Sequence, residues 1–225
     1  MAESAHAIAP IERRDRLCER GEAALRMGCS IGAVSSVTAT DRLHFTGDDQ
    51  ADRLLASDPM ALIIGFALDQ QVPVQKAFSG PKVLLDRLGG IDARTLASVD
   101  EEALLAAAKG PPAIHRFPAA MAKRVREVAE HIVATYDGDA ARLWTEAADG
   151  RDLQRRIGAI PGFGAMKVAS LTAVLANRFD VRPLGIEDVM PTHPTLGDVD
   201  SPQALAEYQA KKRAHKAELR AQQQG

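Results

Sequence analysis

Apolar residues recur along the chain at helical spacing. In residues 118–136, Met121, Val125, Val128 and Ile132 fall every three or four positions, which predicts a long amphipathic helix ending near Tyr136. The segment 60–69 is apolar on nearly every side, which predicts a helix buried at the centre of the fold. No segment alternates with a period of two. We therefore expect an all-α fold with no strands.

Caps and helix breakers divide the remaining chain into shorter helices. Ser57-Asp58-Pro59 combines a cap with proline at the first helical position, and Gly89-Gly90 is typical of a helix end. Val72-Pro73 stops the apolar helix. The shorter helices are predicted at 51–56, 74–78, 81–88, 92–98, 100–108, 151–159 and 165–179, with one more around Trp144.

Three regions differ in character. Residues 1–42 are interpreted as a poorly ordered N-terminal extension containing a short charged helix at 11–27; a start assigned too far upstream is the other interpretation. Residues 43–200 are expected to form the compact domain. Residues 201–225 carry a Ser-Pro cap and many basic residues, which predicts a docked C-terminal helix whose charges face solvent and whose end frays.

Composition narrows the classes of function. Of 225 residues, 46% are hydrophobic and only 4% aromatic, which favours packed helices. The net charge of −2 limits any nucleic-acid contact to a local patch. Cys18 and Cys29 are the only cysteines, too few for an iron–sulfur cluster or a cysteine-rich zinc site. With no signal peptide or apolar span, we expect a cytoplasmic protein without a membrane partner.

The most informative segment is the turn between the two helices of residues 151–179. It reads Ile160-Pro161-Gly162-Phe163-Gly164. Proline stops the first helix, and the glycines allow backbone angles that other residues avoid. Phe163 is expected to point inward. The amides of Gly162, Gly164 and Ala165 would then lie bare at the positive end of the second helix, where they suit a phosphate oxygen, with Lys167 adding charge.

This hairpin resembles that of the helix-hairpin-helix DNA glycosylases of base excision repair. A second segment supports the likeness: residues 63–77 (IIGFALDQQVPVQKA) resemble the apolar helix ending in Gln-Gln that opens the glycosylase domain of that family. The order of the elements also matches, and the resemblance covers about residues 43–182. Within that family, the chain resembles the small actinobacterial-type proteins described as HhH-GPD base excision repair proteins.

The resemblance implies two helical subdomains flanking a cleft, without an iron–sulfur cluster. It also implies binding of double-stranded DNA and extrusion of a damaged base into a pocket. Gln70 and Gln71 are the first candidates for the wedge that fills the gap, and His115 and Arg116 are the second. Helix capping is the alternative role of the two glutamines. No metal or cofactor is expected, apart from a monovalent cation that could bridge the hairpin and a phosphate.

Two positions depart from the family pattern. Strand-cleaving members carry a lysine two residues after the second glycine, where this chain has Met166. Lys167 lies one residue further, a rotation of about 100° on a helix, so we expect it to face away from the pocket. The family's aspartate falls about twenty residues after that glycine. Asp188 is the candidate, Asp180 and Glu187 are alternatives, and all three could be ordinary surface acids.

The resulting hypothesis is a monomeric, nucleoid-associated, monofunctional DNA N-glycosylase. The alternative is a non-catalytic DNA-binding or damage-sensing protein that keeps the hairpin without the chemistry. A third interpretation, a helical protein-interaction module, treats the hairpin as a simple tight turn.

Overall fold

The computed structural model describes residues 40–222, with side chains up to residue 214. This range forms ten α-helices, two 3-10 helices and no strand, which confirms the predicted all-α fold. The helix predicted at 11–27, and all but the last residues of the predicted extension, lie outside the described residues. No helix in the described part is long and apolar enough to cross a membrane. The α-helices are α1 (Asp49–Ser57), α2 (Pro59–Leu68), α3 (Val74–Leu88), α4 (Ala93–Ser98), α5 (Glu101–Lys109), α6 (Pro118–Tyr136), α7 (Arg142–Thr145), α8 (Gly150–Gly158), α9 (Ala165–Arg178) and α10 (Pro202–Gln222).

Helix α2 is buried along its whole length after the first residue, as its uniform apolar character predicts. The Asp58 side chain caps it by accepting hydrogen bonds from the amides of Met60 and Ala61. Phe66 on α2 meets Phe78 on α3 edge-on, with ring centroids 5.1 Å apart. This packing places the C-terminal end of α2 at a defined point inside the molecule.

Helix α3 is continuous, so the prediction of separate helices at 74–78 and 81–88 is wrong. Pro81 lies inside α3 and is buried. A proline here removes one backbone hydrogen bond, but tertiary packing outweighs that loss. A Cβ at Gly80 would come within 2.3 Å of Leu68 Cδ1, so α2 and α3 approach closely at this point.

The helices form two groups on either side of a cleft, as expected from the resemblance. Helices α1–α6 pack mainly on one another, with α2 against α3 and α4 and α5 against α6. The second group contains α7, α8, α9, α10 and two 3-10 helices, at Ile186–Val189 and Leu196–Asp198.

Helix α10 begins in the second group and reaches the first. Leu205 in its first two turns is buried. One turn further, Gln209 Nε2 donates a hydrogen bond to Gln75 Oε1 on α3 at 2.8 Å. The C-terminal helix therefore runs beside the cleft and forms one of its walls.

We predict that Gly197→Ala destabilises the second group of helices. A Cβ at Gly197 would lie 2.6 Å from the carbonyl carbon of Ala173 on α9. Because that neighbour is backbone, the clash cannot be relieved by rotating a side chain, and overpacking of this kind costs about 1–3 kcal/mol. Urea unfolding measures the change. Gly90→Ala is the control, since the nearest atom to its Cβ lies at 3.5 Å; equal stability of the two variants would contradict the prediction.

Candidate nucleic-acid interface

Phe163 anchors the hairpin between α8 and α9 to the hydrophobic core, and this residue is only 7% exposed. Its amide donates to the carbonyl of Ile160 at 3.1 Å. Gly162 has φ 82°, in the left-handed region that favours glycine. The inward position of Phe163 and the need for glycine at 162 agree with the sequence analysis.

Gly162 also lies directly against Arg124 of α6. A Cβ at Gly162 would come within 2.9 Å of the Arg124 guanidinium. Arg124 forms an ion pair with Glu127 at 3.2 Å, and its side chain remains 31% exposed. The sequence shows Lys123 and Arg124 side by side on the long helix, but it does not show which of them turns toward the hairpin.

The amides at the start of α9 are available to an external acceptor. Gly162, Gly164 and Ala165 are exposed. Within the described residues, none of their amides donates a hydrogen bond, and the first amides to bond back to Gly164 are those of Lys167 and Val168. Unpaired amides at a helix N-terminus carry partial positive charge and bind anions.

Gly164 is needed for the space that a missing side chain leaves over the turn, and its backbone angles do not require glycine. Its φ of −89° and ψ of 176° are extended values that any residue adopts, so it does not need glycine's conformational freedom. No described atom beyond its chain neighbours lies within 4 Å of a Cβ built there. The missing side chain leaves the exterior of the turn open to close approach.

A cleft of about 650 Å³ opens beside the start of α9. Its volume is within the range of pockets that hold small molecules. Both helical groups and α10 contribute side chains to it. The lining residues are Phe66, Asp69, Gln71, Val72, Arg116, Met166, Lys167, Ser170, His193, Pro194, Thr195, Tyr208 and Lys212.

Asp69 is the carboxyl group that lines this cleft. It follows the last residue of α2, and its amide bonds back to the carbonyls of Gly65 and Phe66. Burial raises the pKa of the Asp69 carboxyl, and the charges of Lys212 and Lys167 oppose part of that effect. From the sequence Asp69 resembles an ordinary helix-terminal acid; its position depends on how α2 is packed.

The prediction that Lys167 faces away from the pocket is wrong. Its Nζ donates to the carbonyl of Ala67 at 3.1 Å and lies 5.3 Å from the centroid of the Phe163 ring. Burial lowers the pKa of Lys167 to about 8; the charge of Asp69 acts in the opposite direction and that of Arg124 adds to the lowering. Met166, at the family's lysine position, is 69% exposed on the rim. The long lysine side chain folds over Phe163 and so reaches the cleft.

The three acidic residues considered from the sequence lie outside the cleft. Asp180 and Glu187 are exposed and pair with Arg182 at 3.4 and 3.2 Å. Asp188 is exposed in the 3-10 helix Ile186–Val189. None of them is among the residues that line the cleft. A catalytic role for Asp188 stays a prediction that this location does not support.

The two glutamines occupy the turn after α2. Gln71 is exposed, lines the cleft and has a left-handed φ of 56°, which is uncommon for a residue other than glycine. Gln70 is half-buried, and its Nε2 lies 3.4 Å from the carbonyl of Ala67. Gln71 is therefore the glutamine that can reach outward, and Gln70 supports the turn.

The Pro-rich loop at 110–117 is held against that turn by His115, which is only 2% exposed. The amide of Phe117 donates to His115 Nδ1 at 3.0 Å, so Nε2 carries the proton and donates to the carbonyl of Gln70 at 2.8 Å. His115 thus joins the two loops from a buried position. Arg116 is exposed and lines the cleft beside Gln71.

We predict that Asp69→Asn raises the stability of the protein near neutral pH. Burial raises the folded-state pKa of this carboxyl, so the folded state is penalised when the group is ionised. This loss of stability is complete above the folded-state pKa. It disappears as the pH falls toward the pKa of the same carboxyl in the unfolded chain, about 3.9. The midpoint of thermal unfolding should exceed that of the wild type at pH 7.5, and the difference should shrink toward pH 4.5. Asp188→Asn should behave like the wild type; a lower midpoint for Asp69→Asn at pH 7.5 would contradict the argument.

Comparison with known families agrees with this geometry. The family model described as "HhH-GPD superfamily base excision DNA repair protein" matches residues 64–219. This range includes the Gln-Gln turn, the hairpin and most of α10. A search of curated proteins and a search of solved structures each gave no match. The fold and superfamily expected from the sequence are confirmed, since the match covers well over half of the chain. The chain belongs to the HhH-GPD superfamily of base excision DNA repair proteins.

Proposed function

We propose that this protein is a monofunctional DNA N-glycosylase that binds duplex DNA through the hairpin and removes a damaged base held in the cleft. One observation carries the proposal: free, exposed amides at the start of α9 lie next to a cleft whose lining contains the carboxyl of Asp69. An enzyme that excises an extruded base needs both a phosphate anchor and a group that stabilises positive charge at the sugar.

The anchor combines backbone and side-chain donors. The amides of Gly162, Gly164 and Ala165 would receive a phosphate oxygen, and Arg124, packed on Gly162, would supply a full positive charge beside them. Lys167, first considered for this role, is turned to the carbonyl of Ala67 instead. A monovalent cation bridging the hairpin and the phosphate remains part of the proposal. Replacing potassium by a bulky organic cation at constant ionic strength would test it.

The wedge is assigned to the exposed pair Gln71 and Arg116. Both line the cleft from the first helical group, across from the start of α9. Gln70 and His115 would hold this pair in place from below, through the bond between His115 Nε2 and the carbonyl of Gln70. Extrusion leaves a gap in the duplex that such side chains can fill while the base occupies the cleft.

Asp69 and Lys167 suit a hydrolytic step. In this proposal Asp69, as the carboxylate, takes a proton from water while the water oxygen bonds to C1′ of the sugar. The bond between C1′ and the base nitrogen breaks, and the base leaves with its electron pair and receives a proton from Lys167. Groups whose pKa values are moved toward neutrality by burial are effective in such transfers.

The position of Lys167 also bears on strand cleavage. An amine in the cleft could attack the sugar and form a Schiff base. The carbonyl of Ala67 and the charge of Asp69 both favour the protonated amine, which is not nucleophilic. We therefore assign Lys167 to proton donation. Covalent trapping with borohydride on a substrate duplex would overturn this assignment, because only a Schiff base is trapped.

We predict that Arg124→Gln weakens duplex binding about 10- to 100-fold, since a charge-assisted hydrogen bond is worth roughly 1.5–3 kcal/mol. The slope of log K against log salt concentration should fall by about 0.9, the loss of one phosphate contact. Fluorescence anisotropy over a salt series measures both quantities.

The matched control is Lys123→Gln, which removes the same charge from the neighbouring position. Lys123 is 79% exposed and does not pack on the hairpin. Its removal should change binding far less. Equal losses in the two variants would show that the hairpin has no special role and that only the overall charge of α6 matters.

We predict that Asp69→Asn lowers base excision at least about 100-fold, the usual contribution of a positioned acid or base. Asp188→Asn should retain the wild-type rate. Single-turnover assays on a panel of damaged duplexes, with hot alkali to reveal abasic sites, measure both. A reversed result would return the catalytic role to Asp188. If no duplex yields an abasic product while binding persists, the protein is a non-catalytic DNA-binding or damage-sensing member of its superfamily.

A further inference from the structure

We propose that the cleft selects bases that carry an added ring carbonyl, the products of deamination or oxidation, and rejects cationic alkylated bases. This inference rests on the proposed function, because it takes the cleft as the place that receives the extruded base. It concerns which chemical class of lesion fits, and it follows from the charges and hydrogen-bond donors of the lining.

The charges of the lining are unbalanced in favour of cations. Arg116, Lys167 and Lys212 face the same space as the single carboxylate of Asp69. A base that is itself positively charged, such as an N7-alkylated purine, would meet net repulsion here, and like charges brought together out of water are costly. Neutral bases and bases that lose a proton are favoured.

The cationic groups of the lining can only donate hydrogen bonds, and its hydroxyl groups can donate as well as accept. The Ser170 hydroxyl is buried and has no hydrogen-bond partner in the described part of the chain. Burial raises the pKa of the Tyr208 phenol, so it remains an O–H donor at neutral pH. Arg116 and Lys212 can only donate. Donors left unpaired in a cleft favour a ligand that brings acceptors, and each added carbonyl brings one.

The aromatic lining does not suit a cationic base either. Such bases are recognised by the faces of aromatic rings. Phe66 is only 1% exposed and packs edge-on against Phe78. Tyr208 is the other aromatic residue of the lining, and the ammonium of Lys212 already lies 5.6 Å from its ring centroid. A second cation near that ring would therefore meet the positive charge of Lys212.

Two of the selecting groups come from α10. Tyr208 and Lys212 lie one turn apart, so they share one face of the helix. Leu205 and the bond from Gln209 to Gln75 hold that face against the cleft. The C-terminal helix, whose charges the sequence analysis assigned to solvent, thereby becomes the element that distinguishes one lesion from another.

The first test compares four lesions in one duplex sequence with the full-length protein. Uracil, hypoxanthine and 8-oxoguanine represent the added carbonyl from deamination or oxidation, and a fluorine-stabilised N7-methylguanine represents the cation. We expect excision, or binding by Asp69→Asn, to favour at least one carbonyl lesion over N7-methylguanine at least tenfold. Preference for N7-methylguanine overturns the inference but leaves the glycosylase proposal standing.

The second test assigns the selection to α10. Lys212→Gln and Tyr208→Phe should each reduce discrimination for the preferred carbonyl lesion several-fold, without changing the affinity for undamaged duplex or its salt slope. Lys211→Gln is the matched control, because Lys211 lines the adjoining groove with Asn177 and Asp198 and is not among the residues that line the cleft. If Lys212→Gln instead weakens binding of all duplexes equally and lowers the salt slope by about 0.9, Lys212 contacts a phosphate and the inference is overturned.

The two proposals fail in different ways. Duplex binding that depends on Arg124, with no preference among the lesions and the undamaged duplex, rejects the base selection alone. Absence of any duplex binding rejects the DNA-binding proposal and the base selection together.

Discussion

Complete burial of α2 is the constraint on which the cleft depends. A helix with apolar side chains on every face must be covered on every face, and α3 and α6 pack against it. Polar residues can therefore follow only after the last buried residue of the helix. The end of α2 therefore carries the carbonyl of Ala67, the carboxyl of Asp69 and the Gln-Gln turn to one place. The cleft begins there because α2 is buried from Met60 to Leu68 and polar groups follow directly after that stretch.

The same packing leaves the cleft with groups that lower the stability of the fold. Asp69 and Lys167 are partly removed from water, and burial disfavours the charged form of each. Each charge only partly compensates the other. A fold selected for stability alone would place apolar residues at these positions. Retention of two ionisable groups in a cleft large enough to hold a base is the physical reason to assign them a chemical role.

In the hairpin, by contrast, the polar groups are backbone amides that lie at the surface. Phe163 fixes the turn by burying its side chain, and Gly162 allows the sharp bend against Arg124. The amides that follow have no acceptor among residues 40–222, because the helix has only just begun. Anchor and cleft are adjacent since α9 starts at the hairpin and presents Lys167 and Ser170 to the cleft within its first two turns.

The sequence by itself determined what depends on local periodicity and backbone chemistry. It predicted the helices, the central position of α2, the inward Phe163 and the free amides of the hairpin, because each follows from spacing, proline or glycine. It did not predict that α3 continues through Pro81. Packing against α2 compensates for the lost hydrogen bond, and that packing is not visible in the sequence. Only the tertiary structure decided which acid faces the hairpin, that Lys167 reaches the cleft, and that Tyr208 and Lys212 line it. Those placements join residues far apart in the chain, such as Lys167 and Ala67 at 100 positions, and such contacts depend on how whole helices cross.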